Sequence, residues 1–375
     1  MTAMRYQIIS FTESGIRLSK RIAGLLAPQE VSLATKCSFA KENGGKEPDG
    51  GLAVQSVTQS LGDWTREQMG KKNALIFIGA CGIAVRAVAP CLTDKLHDNP
   101  VLVIDETGKF VIPILSGHVG GANEIAAALA AGLGATPVIT TATDRNHKFA
   151  VDLFAKRNNL YIENKDGIAK VSAKALAGEP ITVWAEPGRL RDPDQKPDGI
   201  LILPDCKKPL YADIVIASEK KECDALIRLS PREYVIGMGC KKGTKASRIE
   251  VLITETLREA RLSLCRIYAL ASIDIKKEEE GLLSFCEKEN IPFLTYTAAQ
   301  LQAVEGEFHA SSFVKEKVGV DNVCERAALK ACGNGGSLIR KKRAGDGMTI
   351  AVAKREWSVT FAEERRGDET AYEQK

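Results

Sequence analysis

Apolar and polar positions follow one another along the chain in the order of strands and helices. Tyr6–Ser10 has the apolar composition of a buried strand, and Glu13–Leu26 carries apolar residues at helical spacing. The same order recurs at Ala74–Ile78, a short apolar run that precedes a predicted helix at residues 83–89. Strands that alternate with helices in this way are typical of parallel sheets covered by helices on both faces. The pattern therefore predicts an α/β fold.

The rest of the first 145 residues continues this pattern. The loop predicted at residues 41–51 contains four glycines and a proline, which disfavour regular structure. Around it we predict a helix at residues 52–69, strands at Val101–Ile104 and Phe110–Leu115, a helix at Ala122–Leu133 and a strand at residues 137–140.

Two changes of pattern divide the chain into domains. The sequence is less regular after His147, with predicted strands at residues 181–184, 200–203, 214–216 and 226–229. A new series begins after Pro231, with predicted strands at residues 234–236, 267–270, 348–353 and 357–361 and helices at residues 247–260 and 279–290. We predict an N-terminal α/β domain (1–145), a middle α/β domain (146–231), a separate C-terminal α/β domain (232–362) and a charged tail (363–375). The expected fold class is multidomain α/β, with parallel or mixed sheets flanked by helices.

Composition narrows the class of protein. Of 375 residues, 44% are hydrophobic and 27% charged, as in ordinary globular proteins, and the net charge of +4 is too small to indicate nucleic-acid binding. The one dense basic run, residues 340–343, precedes Gly345 and Gly347, so we predict a solvated turn between two strands there.

Cysteines and apolar segments exclude two further classes of site. None of the ten cysteines lies within four residues of another, so the ligand spacing of a structural zinc site is absent. No apolar stretch is long enough for a membrane span, and the N-terminal residues lack the organisation of a signal peptide. We expect a cytoplasmic protein with reduced cysteines, without a metal site and without a membrane or nucleic-acid partner.

Three glycine- or threonine-rich turns follow predicted strands between Ala74 and Asp144, and we expect them to meet at one sheet edge. Glycines let a ligand approach the backbone, and a helix that begins beyond them offers N–H groups to an anion. Each turn alone could also be an ordinary tight turn. The candidate binding residues are Gly79, Gly82, Arg86, Ser116, Gly117, Gly120, Gly121, Asn123, Thr141 and Thr143.

His118 is the candidate for proton transfer. It lies between Gly117 and Gly120 in a predicted loop, and the ordinary pKa of histidine is close to neutrality. A solvated or helix-capping histidine is the structural alternative. Glu124 and Asp144 are the neighbouring carboxylates with candidate catalytic roles, although Glu124 could merely favour the helix dipole.

Four ordered blocks in this region carry a resemblance to a known family. They are FIGACGIAVRAVAP, HDNPVLVIDETGKF, ILSGHVGGANEIA and PVITTATD, and together they resemble the N-terminal domain of the CbiG family. YVIGMGCKKGT, ALASIDIKKEEEGLL and VCERAALKACGNGGSL are similar to the C-terminal domain of that family, whereas the middle region is less recognisable.

The resemblance implies a hydrolase of the anaerobic cobalamin pathway. Such an enzyme opens the lactone of cobalt-precorrin-5A and releases acetaldehyde to give cobalt-precorrin-5B. It implies a tetrapyrrole substrate that brings its own cobalt, no separate cofactor, and transient contact with other enzymes of the pathway. Under this interpretation His118 transfers protons, Asp144 is a reserve base, and the amides of Gly117, Gly120 and Gly121 stabilise the oxyanion.

The third domain contributes five further candidate residues. Its glycines at 237, 239 and 243 have the wrong spacing for a dinucleotide fingerprint, so we predict a backbone turn that binds carboxylates, with a plain turn as the alternative. Lys276 and Glu279 match the family pattern Asp-x-Lys-x-x-Glu, although a solvated helix start would look the same. The five candidates are Gly237, Gly239, Lys241, Lys276 and Glu279.

Two functions other than hydrolysis are compatible with the sequence. A non-catalytic corrinoid carrier or scaffold would need the same binding turns. A methyltransferase of the same pathway is a weaker alternative, because no G-x-G-x-G turn follows the first strand.

Overall fold

A computed structural model describes residues 4–37, 52–94, 98–142, 146, 148–204, 209–219, 223–308 and 319–362. The chain divides into two compact units, one up to residue 147 and one from residue 148 onward. In both units helices pack against mixed sheets, which confirms the predicted α/β class. None of the helices in the described ranges combines the length and apolar character that a membrane span requires.

The first unit contains a seven-stranded sheet of order β3-β2-β1-β4-β5-β6-β7. Its strand pairs are parallel except β5 with β6, so β6 and β7 run opposite to the other strands. Its elements are β1 (Tyr6–Ser10), α1 (Glu13–Leu26), β2 (Val31–Thr35), β3 (Val54–Ser56), α2 (Leu61–Gly70), β4 (Ala74–Ile78), α3 (Cys81–Val88), β5 (Val101–Ile104), β6 (Phe110–Leu115), α4 (Ala122–Leu133) and β7 (Thr136–Pro137).

Both faces of this sheet are buried, because its apolar side chains alternate between two cores. Ile8 and Ile76 pack with α1 and α4 on one face, whereas Ile9 and Phe77 pack with α2 and α3 on the other. Near-continuous apolar strands are the sequence signature of this arrangement. The strands β1, β4, β5 and β6 and the helices α1 and α4 have the predicted bounds.

The helix predicted at residues 52–69 is wrong in its first part. Val54–Ser56 pairs with β2 as an edge strand, and the helix begins only at Leu61, where the Ser60 side chain accepts a hydrogen bond from the Asp63 amide. A serine that caps a helix in this way marks the position at which the helix begins. Strand β2 was not predicted, the strand predicted at residues 137–140 is Thr136–Pro137, and the loop predicted at residues 41–51 lies outside the described residues.

The second unit begins with a five-stranded sheet of order β11-β9-β12-β13-β8, in which only the β13–β8 pair is antiparallel. The two helices of this part were not predicted: one has only seven residues, and the other, with twelve, follows a strand of only three residues. Its elements are α5 (Val151–Arg157), β8 (Leu160–Ile162), α6 (Asp166–Ala177), β9 (Ile181–Ala185), β10 (Leu190–Arg191), β11 (Ile200–Ile202), β12 (Tyr211–Ile216) and β13 (Asp224–Pro231).

A second five-stranded sheet follows, of order β16-β15-β14-β18-β17, and a last short strand pairs with β10. The strand predicted at residues 357–361 is reduced to that two-residue strand. The elements are β14 (Tyr234–Cys240), α7 (Ala246–Ala260), β15 (Ile267–Ile273), α8 (Glu280–Glu289), β16 (Phe293–Tyr296), α9 (Ala298–Gln302), α10 (Val323–Cys332), β17 (Ser337–Gly345), β18 (Met348–Lys354) and β19 (Val359–Thr360).

The basic run at residues 340–343 is not a turn, which corrects the prediction. It lies within β17, an edge strand paired antiparallel with β18, and the turn falls later, at Asp346 and Gly347. Both of these residues have positive φ, as a tight hairpin requires. Arg343 forms ion pairs with Glu255 and Glu259 of α7, so part of the basic run is neutralised within the domain.

A buried carboxylate, Asp213, ties three elements of the middle sheet together. It accepts hydrogen bonds from the Tyr211 hydroxyl at 2.6 Å, from the Lys174 ammonium at 2.9 Å and from the amide and hydroxyl of Thr182. Burial alone would raise the pKa of Asp213, but these hydrogen bonds outweigh it and hold the pKa below its ordinary value.

We expect Asp213→Asn to lower the free energy of unfolding at pH 7 by roughly 2 kcal/mol, because asparagine cannot satisfy all of these donors. The lowered pKa of Asp213 makes its contribution fully present above the ordinary aspartate pKa, and it is lost as the pH falls through the folded-state pKa. Urea unfolding of both proteins between pH 7 and 3 measures this, and the difference should shrink below about pH 4. A difference independent of pH would contradict the assignment.

Candidate functional site

The direction of β6 determines which of the three predicted turns lie together. At one edge of the sheet, where β4 and β5 both end, Ile78 pairs with Ile104. At the opposite edge, where β5 begins and β6 ends, Val101 pairs with Leu115. The turn after β4 and the turn after β6 therefore lie at opposite edges, separated by the length of β5, roughly 13 Å. The expectation that all three turns meet is wrong, because β5 and β6 form an antiparallel hairpin.

Two of the three turns do meet. Because β7 is parallel to β6, their carboxyl ends reach the same edge, and the Asn123 amide donates a hydrogen bond to the Thr141 hydroxyl at 3.0 Å. This contact joins the turn after β6 to the turn after β7. We call residues 116–123 together with Thr141 the His118 site; His118 itself is half-buried there.

Backbone hydrogen bonds fix the turn that carries His118. The Ala122 amide donates to the Ser116 carbonyl at 3.1 Å, and the Gly121 amide donates to the His118 carbonyl at 3.0 Å. The Gly121 amide is therefore engaged, and of the predicted oxyanion donors we retain Gly117 and Gly120. Ser116 has a φ of 55°, an unusual left-handed conformation for a residue other than glycine.

Close packing inside the turn explains Gly120. A Cβ atom on Gly120 would lie 2.4 Å from Cβ of Ser116 and 2.8 Å from its carbonyl oxygen. This separation is far below van der Waals contact, so any larger side chain would displace the turn. Glycine is required here by the local fold, whether or not a ligand approaches.

Asp98 is a residue of this site that the sequence analysis missed. Its carbonyl oxygen accepts a hydrogen bond from the Ser116 hydroxyl at 2.7 Å. Its carboxylate accepts hydrogen bonds from the Thr93 amide and hydroxyl at 2.9 and 2.7 Å. Asp98 therefore anchors the turn to the segment before β5. The sequence did contain a signal for this role, because Asp98 lies between a predicted helix and a strand, where aspartate often forms hydrogen bonds to nearby backbone.

The two carboxylates of the prediction differ in what the structure shows. Glu124 is exposed in the first turn of α4, directly after the His118 turn. Thr143 and Asp144 lie outside the described residues. Within those residues no group of three or more His, Cys, Asp or Glu side chains is arranged to hold a metal ion.

The turn after β4 lies at the edge of the sheet opposite to the His118 site. Its predicted binding residues, Gly79, Gly82 and Arg86, therefore do not belong to that site. Gly79 follows β4, and α3 begins at Cys81 without a side-chain cap. Strands β1 and β4 are neighbours from which the chain continues in opposite directions, a position at which open α/β sheets often bind ligands. Arg86 is exposed on α3.

Gly237 and Gly239 do not form the predicted turn in the C-terminal sheet. Both lie inside β14, where Gly237 is buried and a Cβ atom on it would lie 1.8 Å from the Cys324 carbonyl oxygen of α10. Close packing of the helix accounts for this glycine. The turn itself begins after Cys240, with Lys241, and contains Gly243 in a left-handed conformation.

Lys276 and Glu279 are brought together beside that turn. Lys276 donates to one carboxylate oxygen of Glu279 at 2.7 Å, and the Gly243 amide donates to the other at 2.6 Å. Burial would raise the pKa of Glu279, but these two hydrogen bonds hold it below its ordinary value. Both oxygens of Glu279 are engaged, so Glu279 supports the turn.

Comparison with known proteins gives matches along most of the chain. Family models match residues 63–144 (Cobalamin synthesis G N-terminal), 149–235 (Cobalamin biosynthesis central region) and 234–353 (Cobalamin synthesis G C-terminus). The chain is 33% identical to the cobalt-precorrin-5A hydrolase of Priestia megaterium, over 93% of this chain and 94% of that protein. It is also 33% identical to the cobalt-precorrin-5A hydrolase of Salmonella typhimurium, over 92% and 96%.

One solved structure is similar to this chain over most of its length. It is described as a putative cobalamin biosynthesis protein G homolog from Sulfolobus solfataricus, with 23% sequence identity and a TM-score of 0.37. The alignment covers 94% of this chain and 97% of that one.

Proposed function

Because the chain belongs to the CbiG family and is a cobalt-precorrin-5A hydrolase of cobalamin biosynthesis, we propose that the His118 site performs its chemistry. The product of the reaction is cobalt-precorrin-5B. The tetrapyrrole substrate carries its own cobalt, and the proposal includes no further cofactor.

The reaction has two steps, and both need proton transfer. Water adds to the lactone carbonyl, the ring C–O bond breaks, and a carboxylic acid and an alcohol form. The alcohol then loses its proton, the adjacent carbon–carbon bond breaks in a retro-aldol sense, and acetaldehyde leaves. The electron pair of that bond passes to the macrocycle. The enzyme must therefore supply a base for each step and hydrogen-bond donors for the tetrahedral oxyanion.

The observation that supports the His118 site is the hydrogen bond between Asn123 and Thr141, which joins two loops around a half-buried histidine. His118 is the proposed base, since imidazole exchanges protons near neutral pH. The amides of Gly117 and Gly120 are the proposed oxyanion donors. Ser116, Asn123, Thr141 and Thr143 contact the substrate in this proposal.

Two carboxylates complete the proposed proton-transfer groups. Glu124 follows the turn in α4 and could receive the alcohol proton, and Asp144 is the reserve base. We place the enzyme in the cytoplasm, where reduced cysteines are ordinary and where transient contact with other enzymes of the pathway would deliver an unstable substrate.

The direct test supplies purified protein with cobalt-precorrin-5A and measures acetaldehyde with a coupled alcohol dehydrogenase assay. We expect one acetaldehyde per substrate, with mass spectrometry showing uptake of one water and loss of acetaldehyde. Tight corrinoid binding without acetaldehyde would indicate a carrier instead. Transfer of a methyl group from S-adenosylmethionine would indicate the methyltransferase alternative. Substrate without protein is the control.

A further inference from the structure

A largely buried ion pair lies at the carboxyl edge of the C-terminal sheet. The side chains of Lys276 and Glu279 are only 13% and 6% exposed, and their charged atoms are 2.7 Å apart. They follow β15, which is parallel to β14 at the centre of the sheet. The carboxyl ends of such strands are where α/β sheets bind ligands.

The pair is joined to the loop that follows β14. Glu279 accepts the Gly243 amide, and the Thr244 hydroxyl donates to the Lys241 carbonyl at 2.7 Å. The Lys241 amide in turn donates to the Gly347 carbonyl at 3.0 Å. The loops after two neighbouring strands are therefore held in a fixed arrangement.

Lys276 can reach a ligand while it stays paired with Glu279. An ammonium group has three donors, and within the described ranges Lys276 uses one of them, on Glu279. Its side chain keeps 13% of its surface exposed, so a ligand at this edge can approach the ammonium and accept a charge-assisted hydrogen bond from it. The remaining donors suit a carboxylate.

The surroundings of Lys276 suit an amphiphilic acid. Lys241 and Lys242 are exposed on the adjoining loop, and Ile275, which precedes Lys276 in the chain, is 62% exposed. Lys276 pairs with Glu279 and Lys277 with Glu278. Among the charged residues of 241–244 and 274–279, this leaves Lys241 and Lys242 against the half-buried Asp274.

We propose that the edge formed by residues 241–244 and 274–276, together with Glu279, binds a carboxylate side chain of a corrinoid through Lys276. This inference rests on the proposed function, which makes a polycarboxylate corrinoid the substrate. Glu279 holds the ammonium and the loop in place, and Ile275 contacts the apolar part of the ligand.

The test is a spectroscopic titration of the full chain with cobyrinic acid and, separately, with its neutral heptamethyl ester. Lys276→Met should weaken binding of the acid roughly tenfold or more, as expected for loss of a charge-assisted hydrogen bond. Binding of the ester should stay unchanged. Lys277→Met is the matched control, because Lys277 is the next residue, is 68% exposed and, among the residues that the structure describes, forms an ion pair only with Glu278.

Lys242→Ala covers the case in which Lys276→Met fails to fold. Lys242 is exposed, and its loss should weaken binding of the acid by roughly twofold to fivefold, with a smaller effect at high salt. Wild-type affinity for the acid in either folded variant would overturn the inference. That result would leave the function standing, since acetaldehyde release by the wild-type protein tests the function separately.

Discussion

Replacing His118 by alanine should slow acetaldehyde release by about 10²- to 10⁴-fold, the range typical for removal of a general base. The side chain belongs to a turn fixed by its backbone and by the Asn123–Thr141 contact, so its removal should leave the fold intact. Steady-state rates at saturating substrate, together with thermal unfolding of the same samples, measure both effects.

Chemical rescue distinguishes a catalytic histidine from a structural one. Added imidazole should restore part of the rate of His118→Ala, because a small base can enter the space that the side chain leaves. His309→Ala is the control, since the sequence predicts no role for that histidine. A variant at His118 that keeps more than a tenth of the wild-type rate would sink the assignment and leave Glu124 and Asp144 as the remaining candidates.

The elements of the first unit could be predicted because their periodicity is strong. Tyr6–Ser10, Ala74–Ile78 and Ala122–Leu133 have the bounds that the apolar pattern indicates. The edge of the sheet at which each loop lies was harder to predict, because it depends on the direction of the strand that precedes the loop. A signal was present, however: only five residues, 105–109, separate β5 from β6, and a parallel crossover needs a dozen or more. That short link predicts a hairpin, and with it the separation of Gly79 from His118.

The candidate site illustrates a second limit, which concerns glycine. The sequence shows where glycines occur, but the same residue serves a ligand, a left-handed turn or a tightly packed helix. Gly243 has a φ of 75° in a turn, whereas Gly237 lies in a strand under α10. Only the tertiary neighbours separate these uses, because the clash that explains Gly237 involves a residue 87 positions further along the chain, Cys324.

Gly237→Ala should lower the free energy of unfolding of the second unit by about 3 kcal/mol or more, the upper range for an overpacked core. The new Cβ atom would lie 1.8 Å from the Cys324 carbonyl oxygen, and backbone of α10 cannot yield as a side chain tip would. The residues paired with Gly237 are also small, Ala271 and Ala351, so α10 packs against a part of the sheet that has only small side chains.

Gly345→Ala in β17 is the matched control, because its Cβ would meet nothing within 4 Å. Urea unfolding compares the two variants. If Gly237→Ala were as stable as the control and instead lost corrinoid binding, the glycine would serve the ligand and the packing explanation would be wrong.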